Sequence, residues 1–293
     1  MNTATAIFEA ERPKLTALCY RMLGEQAGAE DAVQDTWLRW SAVEPDAIDN
    51  PAAWLRRAAT NIAIDALRSA RAKREVYPGP WLPEPLFHGQ AQDAGARFEI
   101  AQECELALLW AMERLSPAER AAFILREAFD AGYDEIAATL GKSQAACRQL
   151  VSRAHRRLQE SGPRFDAPNT QVRELIARFL AAVANEDFET ATRLLAPDAV
   201  AISDGGRKAR AALRPLIGAE EIITVFASVM RKSGAEVGWR LEMAKVNGAP
   251  ALVRWLGGRV DMVLTLSPDS AGRIAWFYMM RNPDKLQGAP AYQ

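Results

Sequence analysis

Apolar and polar positions follow one rhythm up to about residue 160 and another after about residue 170. The first is helical. In WLRRAATNIAIDALRSARAKRE, Leu55, Ala58, Ala59, Ile62 and Ala66 share one face, and Arg57, Asn61, Ile64, Arg68 and Arg71 share the opposite one. In AEDAVQDTWLRW, Val33, Trp37 and Trp40 form an apolar stripe, while Asp31, Asp35 and Arg39 lie at i, i+4 and i+8 on another face. Residues 5–75 therefore read as helices, interrupted by SAVEPDAIDNPAAW, whose prolines and Asp/Asn turn formers predict a loop entering the basic helix. Trp54 continues that helix's apolar stripe, so it is expected to pack in the core rather than stack on a ligand.

YPGPWLPEPLFHGQAQDAG, rich in proline and glycine, predicts a linker with extended backbone. Helices are expected again from near Ala96. In SPAE, Ser116 is placed to cap a helix, Pro117 to occupy its first turn and Glu119 to bond back to the cap amide. Gly132 and Gly141 bracket a short helix, and Ser143 is placed to cap another whose apolar face is Cys147, Leu150, Val151, Ala154 and Leu158. ESGPRFDAPNT predicts a second linker.

Beyond Thr170 a helix with Val172, Leu175, Ile176, Phe179, Leu180 and Val183 on one face precedes a second that Asp187 could cap. Strand-like runs then alternate with the turn signals DGG at 204–206, NG at 247–248, GG at 257–258 and PDSAG at 268–272. Helices followed by a curved antiparallel sheet predict an α+β domain. No internal repeat is visible.

The 293 residues suffice for two or three domains, and 49% hydrophobic with 25% charged residues fits a globular chain. No apolar run approaches the roughly 20 residues of a membrane helix, and the N-terminus lacks a secretory pattern. Cys19, Cys104 and Cys147 are too dispersed for a disulfide framework or a metal knuckle, and His88 and His155 have no ligand-like neighbours. The expected compartment is a reducing cytoplasm, with neither metal nor cofactor implied.

The net charge is −1, which conceals segregation. Glu25, Glu30, Asp31, Asp35, Glu44, Asp46 and Asp49 face only Arg39 between 25 and 49. Arg56, Arg57, Arg68, Arg71, Lys73 and Arg74 face only Asp65 between 54 and 74. Lys142, Arg148, Arg153, Arg156 and Arg157 meet no acid between 141 and 158. Local sign sets the field that a polyanion feels. YDEIAATLGKSQAACRQLVSRAHRRL thus reads as a helix-turn-helix whose second helix could enter a major groove. Ser143, Gln144, Arg148, Gln149, Ser152 and Arg156 lie on its exposed side; Arg and Gln suit base edges, and Ser143 with the free helix amides suits a phosphate. The basic helix from Trp54 and its preceding loop could grip single-stranded DNA. The Asp31/Asp35/Arg39 face would repel phosphate, so a protein is its expected partner.

In order and separation, AEDAVQDTWLRW, NPAAWLRRAATNIAIDALRSARAKRE, the proline-rich linker and LSPAERAAFILREAFDAGYDEIAATLGKSQAACRQLVSRAHRRL resemble regions 2 and 4 of a bacterial extracytoplasmic-function (ECF) sigma factor. The resemblance implies a polymerase subunit. Asp31, Asp35 and Arg39 would meet the β′ clamp helices of core RNA polymerase, with the β flap as a second contact. Asn50, Arg57, Asn61, Arg68 and Arg71 would capture the melted −10 promoter element, and the helix from Ser143 would read the −35 element. The implied domains are region 2 at 1–76, a linker at 77–95, region 4 at 96–161, a linker at 162–169 and a further domain at 170–293.

That last domain resembles the SnoaL-like extension of one ECF subgroup, a cone-shaped α+β fold shared with ketosteroid isomerases and limonene hydrolases. YPGPWLPEPL, DGGRK at 204–208 and NPDKL at 282–286 carry the likeness; Pro78 and Arg207 depart from the subgroup's usual apolar residue and third glycine. The resemblance implies regulatory contacts by Asp204, Lys208, Asn282, Pro283, Asp284, Lys285 and Leu286. NPDKL could tie this domain to the linker at 77–87 or to the −10-binding domain, or could merely cap the sheet. The expected function is promoter-directed initiation without enzymatic activity, because Asp204 has a turn-forming reason to exist and Asp261, between apolar neighbours, could face solvent. A small ligand could occupy a cavity lined by Trp239, Trp255, Trp276 and Phe277. The alternatives are an isomerase- or hydrolase-type enzyme tethered to a DNA-binding module, and a repressor that uses only the helix-turn-helix.

Overall fold

The computed structural model describes residues 3–87, 104–160, 167–233 and 238–289. The helical restart near Ala96, His88, the linker beyond Phe87 and residues 161–166 of the second linker lie outside the described residues. The chain forms two compact units. Described residues 3–76, 104 and 109–160 make the first, and 77–87, 105–108, 167–233 and 238–289 make the second.

The first unit is helical. Its elements are α1 (Thr3–Leu23), α2 (Gln26–Ser41) and α3 (Pro51–Glu75), then α4 (Leu106–Ala111, divided between the units), α5 (Pro117–Phe129), α6 (Tyr133–Leu140) and α7 (Gln144–Glu160). Trp40 is fully buried, donates its indole N–H to the Ala4 carbonyl at 2.8 Å and packs on Trp54 with ring centres 5.4 Å apart. Asn50 caps α3 by accepting the Ala53 amide at 3.0 Å, with Pro51 in the first turn.

The buried side of α3 is wider than one stripe. Leu55, Ala59 and Ile62 are buried as expected, and so are Ala63, Ile64 and Leu67. Ile64, expected among the bases of the opposite face, turns inward because α3 packs on α5 and α6 as well as on α1 and α2. Two contact directions leave less of a helix exposed than one amphipathic period implies.

The Ser116 cap forms as a reciprocal box: the Glu119 amide donates to Ser116 Oγ at 3.3 Å, and the Ser116 amide donates to the Glu119 carboxylate at 2.9 Å. Gly141 ends α6 with φ 62°, and Ser143 Oγ accepts the Ala146 amide at 3.2 Å at the start of α7.

The second unit is α+β. Its helices α8 (Asn169–Ala184), α9 (Phe188–Arg193) and α10 (Ala219–Ser233) accompany strands β1 (Leu195–Asp204), β2 (Leu216–Ile217), β3 (Trp239–Val246), β4 (Ala249–Leu256), β5 (Arg259–Pro268) and β6 (Ile274–Met280). The sheet order is β2-β1-β6-β5-β4-β3. Val172, Ile176 and Phe179 of α8 and Ile222 of α10 share one core with Leu252, Leu264 and Phe277 of the sheet. The sheet is mixed rather than antiparallel throughout: β1 runs parallel to β6, with Val200 opposite Trp276 and Asp204 opposite Met280. Asp204-Gly205-Gly206 accordingly ends β1 and does not close a two-residue hairpin. Two-residue hairpins close at Asn247-Gly248 (φ 49° and 76°) and Gly257-Gly258 (φ 59° and 77°), the doubly positive φ pattern that matches strand twist, and a longer turn at 269–273 joins antiparallel β5 and β6.

Candidate nucleic-acid interface and linker node

On α7 the proposed DNA-reading residues Gln144, Arg148, Gln149, Ser152 and Arg156, with Ser143 before it, are all exposed, while Cys147, Leu150, Val151, Ala154 and Leu158 are buried. Not every base on this helix is open. Glu119, buried in α5, accepts from Arg153 Nε at 3.0 Å and Arg157 Nη1 at 2.6 Å. Burial pushes the Glu119 carboxyl up, but bonds from Ser116 and Arg153 outweigh it and hold the carboxyl below its ordinary range. The acid-free run in sequence thus meets its acid from another helix, leaving Arg148 in the first turns and Arg156 farther along, beside Glu160 at 3.9 Å.

On α3, Arg57 and Arg68 are exposed, Asn61 is half-buried, and Asn50 serves as the cap. Arg68 pairs with Asp65 at 2.8 Å. Arg71 needs correction: its guanidinium donates to the Glu113 carbonyl at 3.1 Å and to the Leu115 carbonyl, so it is not free on a DNA-facing side. Arg56 pairs with Glu135 of α6 at 2.7 Å.

Glu113, which sequence reasoning passed over, gathers Arg74 and Arg120 onto one carboxylate. Burial raises its pKa, yet the two guanidiniums outweigh that and hold it below the ordinary carboxylate value. Arg120 is wholly buried and also donates to the Arg21 carbonyl at 2.9 Å.

Asp31, Asp35 and Arg39 are exposed on α2, and Leu38 beside them is 58% exposed, an apolar residue that charge periodicity did not single out.

In the second unit, Asp204 is completely buried. One carboxylate oxygen accepts the Tyr77 hydroxyl and the Gly206 amide at 3.1 Å; the other accepts the Leu82 amide at 2.9 Å and Lys285 Nζ at 2.8 Å. Lys285 also donates to the Leu82 carbonyl at 2.6 Å and lies 4.1 Å from the Trp81 ring centre. Asn282, buried as well, donates to the Tyr77 hydroxyl at 2.9 Å. Burial, followed by the bond to Asp204, raises the Tyr77 pKa, so the phenol stays protonated and donates. Lys208 and Asp284 form an outer pair at 2.7 Å, Leu286 is buried, and Pro283, just before Asp284, is exposed at the start of a short 3-10 turn.

The linker's chemistry explains why it can be held. Prolines at 78, 80, 83 and 85 cannot donate and keep the backbone extended. The Leu82 amide goes to Asp204, and the Leu86 amide to the Asn247 side chain at 2.9 Å; Asn247 returns its own amide to the Leu86 carbonyl. Leu82, Leu86 and Phe87 are buried, and Phe87 bridges Val246 at the sheet edge. Tyr77, Trp81 and Asn247 were not singled out as site residues: Asn247 was read as a turn former, and Tyr77 and Trp81 only as part of the linker.

Neither acid considered as a catalytic base is free. Asp204 is engaged as described, and Asp261, instead of simply facing solvent, is gripped by Arg254 at 2.8 Å and Arg281 at 3.3 Å. An apolar cavity of about 70 Å³ is lined by Phe179, Phe226, Trp239, Met262 and Leu264 among others. Of the aromatics expected there only Trp239 takes part, since Phe277 lies in the core and Trp276 stacks on Tyr278 at 6.1 Å.

Two family models match stretches of the chain. Sigma-70 region 2 matches residues 7–73, and Sigma-70 region 4 matches residues 99–158. ECF RNA polymerase sigma factor SigJ of Mycobacterium tuberculosis is 35% identical, over 97% of this chain and 93% of its own. The chain belongs to the ECF sigma factors. A probable ECF sigma factor, SigI of the same organism, is 30% identical over 97% of this chain and 95% of its own. The crystal structure of SigJ superposes with a TM-score of 0.77 at 31% identity, covering 98% of this chain and 99% of that one. An ECF sigma factor directs RNA polymerase to promoters and is not an enzyme, which decides against the tethered-enzyme alternative. The all-α regions followed by an α+β domain are the expected fold class. Among the described residues no helix is long and apolar enough to cross a membrane.

Proposed function

We propose that this ECF sigma factor docks through Asp31, Asp35 and Arg39 on the β′ clamp helices of core RNA polymerase, with region 4 on the β flap. Asn50, Arg57, Asn61 and Arg68 then hold the melted −10 element, and α7 reads the −35 element through Gln144, Arg148, Gln149, Ser152 and Arg156, with Ser143 on phosphate. The cytoplasm is the compartment this reading requires. Core polymerase supplies much of the DNA grip, so a subunit of net charge −1 need only steer and specify.

The C-terminal unit modulates this activity by fixing the linker between the promoter-reading regions. The observation that carries this is the Asp204 node, where one buried carboxylate holds the linker at Tyr77 and Leu82 and the NPDKL segment at Lys285. Restricting a proline-rich linker restricts what its two ends can reach.

The test is in vitro transcription from a target promoter with core polymerase. Asp31→Arg with Asp35→Arg abolishes transcripts while helical content is retained, and a chain ending at residue 281 changes output several-fold. Normal co-elution of the double variant with core polymerase contradicts the docking, and unchanged output from the truncated chain at equal polymerase occupancy contradicts the modulation.

A further inference from the structure

Arg148 stands one turn into α7 with an exposed side chain, and a long unsupported arginine loses much rotamer freedom when it must meet a base edge. Here it is supported. Its guanidinium carbon lies 5.1 Å from the centre of the Tyr133 ring, and Nη2 donates to Gln144 Oε1 at 3.4 Å. The ring is itself fixed. Tyr133 is the first residue of α6 and half-buried, and the guanidinium of Arg126 lies 5.3 Å from the same ring centre. Arg126 is tied to the turn before α6 by its bond to the Ala131 carbonyl at 3.1 Å. Three helices therefore converge on one aromatic ring, with Arg126 from α5, Tyr133 from α6 and Arg148 from α7.

We propose that Tyr133 is a positioning residue for promoter specificity: its ring holds the Arg148 guanidinium in the orientation that reads a base of the −35 element. This rests on Arg148 being a base reader. The ring offers its negative face to the planar cation while leaving the N–H fork free to hydrogen-bond, which suits Arg and would not suit Lys equally well. Bidentate base recognition needs that fork at a fixed angle, so an arginine ordered in advance gains discrimination rather than general affinity.

The experiment binds holoenzyme, assembled from the full chain and core polymerase, to a pool of promoter duplexes randomised over the −35 hexamer, and sequences the bound fraction. Arg148→Ala flattens the preference at one or two base positions. Tyr133→Leu flattens the same positions by about two- to fivefold, the range expected for losing an exposed cation–π contact. Tyr133→Phe keeps the ring and keeps the profile. Combining Tyr133→Leu with Arg148→Ala gives a profile no flatter than Arg148→Ala alone, because the two residues act as one unit. If Tyr133→Leu proves unfolded by circular dichroism, Tyr133→Met carries the same expectation. A wild-type profile for the ring-less variant overturns the proposal, as does equal weakening on every sequence, or a Phe variant as impaired as the Leu variant. A profile unchanged by Arg148→Ala overturns the base-reading role and the proposal with it, and that result is recognisable without any Tyr133 variant.

Discussion

Helices α3 and α7 carry dense runs of base, and the fold disposes of them differently. On α3 the division runs around the helix. Arg56, Arg71 and Arg74 turn toward Glu135, the 113–115 carbonyls and Glu113, whereas Arg57 and Arg68 stay outside. On α7 the division depends on which residues meet a single buried acid: Glu119 takes Arg153 and Arg157, while Arg148 and Arg156 remain open on the proposed reading side. A count of bases in sequence therefore overstates the charge available to DNA. Partners from elsewhere in the fold, acids and backbone carbonyls alike, decide which bases are structural.

The largest expected effect breaks the committed class. Glu113→Gln leaves the buried Arg120 without its counter-charge and destabilises the first unit by about 3 kcal/mol in urea unfolding at pH 7. The folded state holds the Glu113 pKa below its unfolded value, so its contribution is complete above about pH 4.3 and fades as pH falls through the folded pKa. Stability of the Gln variant therefore depends less on pH in that acid window. A loss below about 0.5 kcal/mol would place this cluster with ordinary surface pairs.

A smaller effect sharpens the comparison on α7. Glu119→Gln can still serve the capping box but loses two charge-assisted bonds, with a cost of roughly 1–3 kcal/mol. It also frees Arg153 and Arg157, so DNA binding by holoenzyme becomes more salt-dependent. An unchanged salt dependence would mean that releasing those two bases adds no phosphate contact.

Local chemistry was the most legible part of the chain. The Ser116 box, the Gly132–Gly141 brackets, the Ser143 cap and the Asn-Gly and Gly-Gly hairpins each depend on a few neighbouring residues, and each formed where the pattern put it. Features that depend on distant partners were less visible. The commitment of Arg71, the inward turn of Ile64 and the parallel pairing of β1 with β6 need contacts from residues tens of positions away. The Asp204 node was half-readable: DGGRK and NPDKL marked two sides of it, but Tyr77 and the Leu82 amide join from more than 120 positions earlier, and no periodicity carries that information.

The most direct test of which bases are available is the salt dependence of promoter binding. With holoenzyme on a fixed promoter duplex, log Kobs against log salt has a slope that falls by about 0.9 for each phosphate contact removed. Arg57→Ala, on the melted strand, should lower the slope by about 0.7, the single-strand value, whereas Arg153→Ala and Arg157→Ala should leave it unchanged. Equal lowering by all three would contradict the account, because the bases held by Glu119 would then be serving DNA after all.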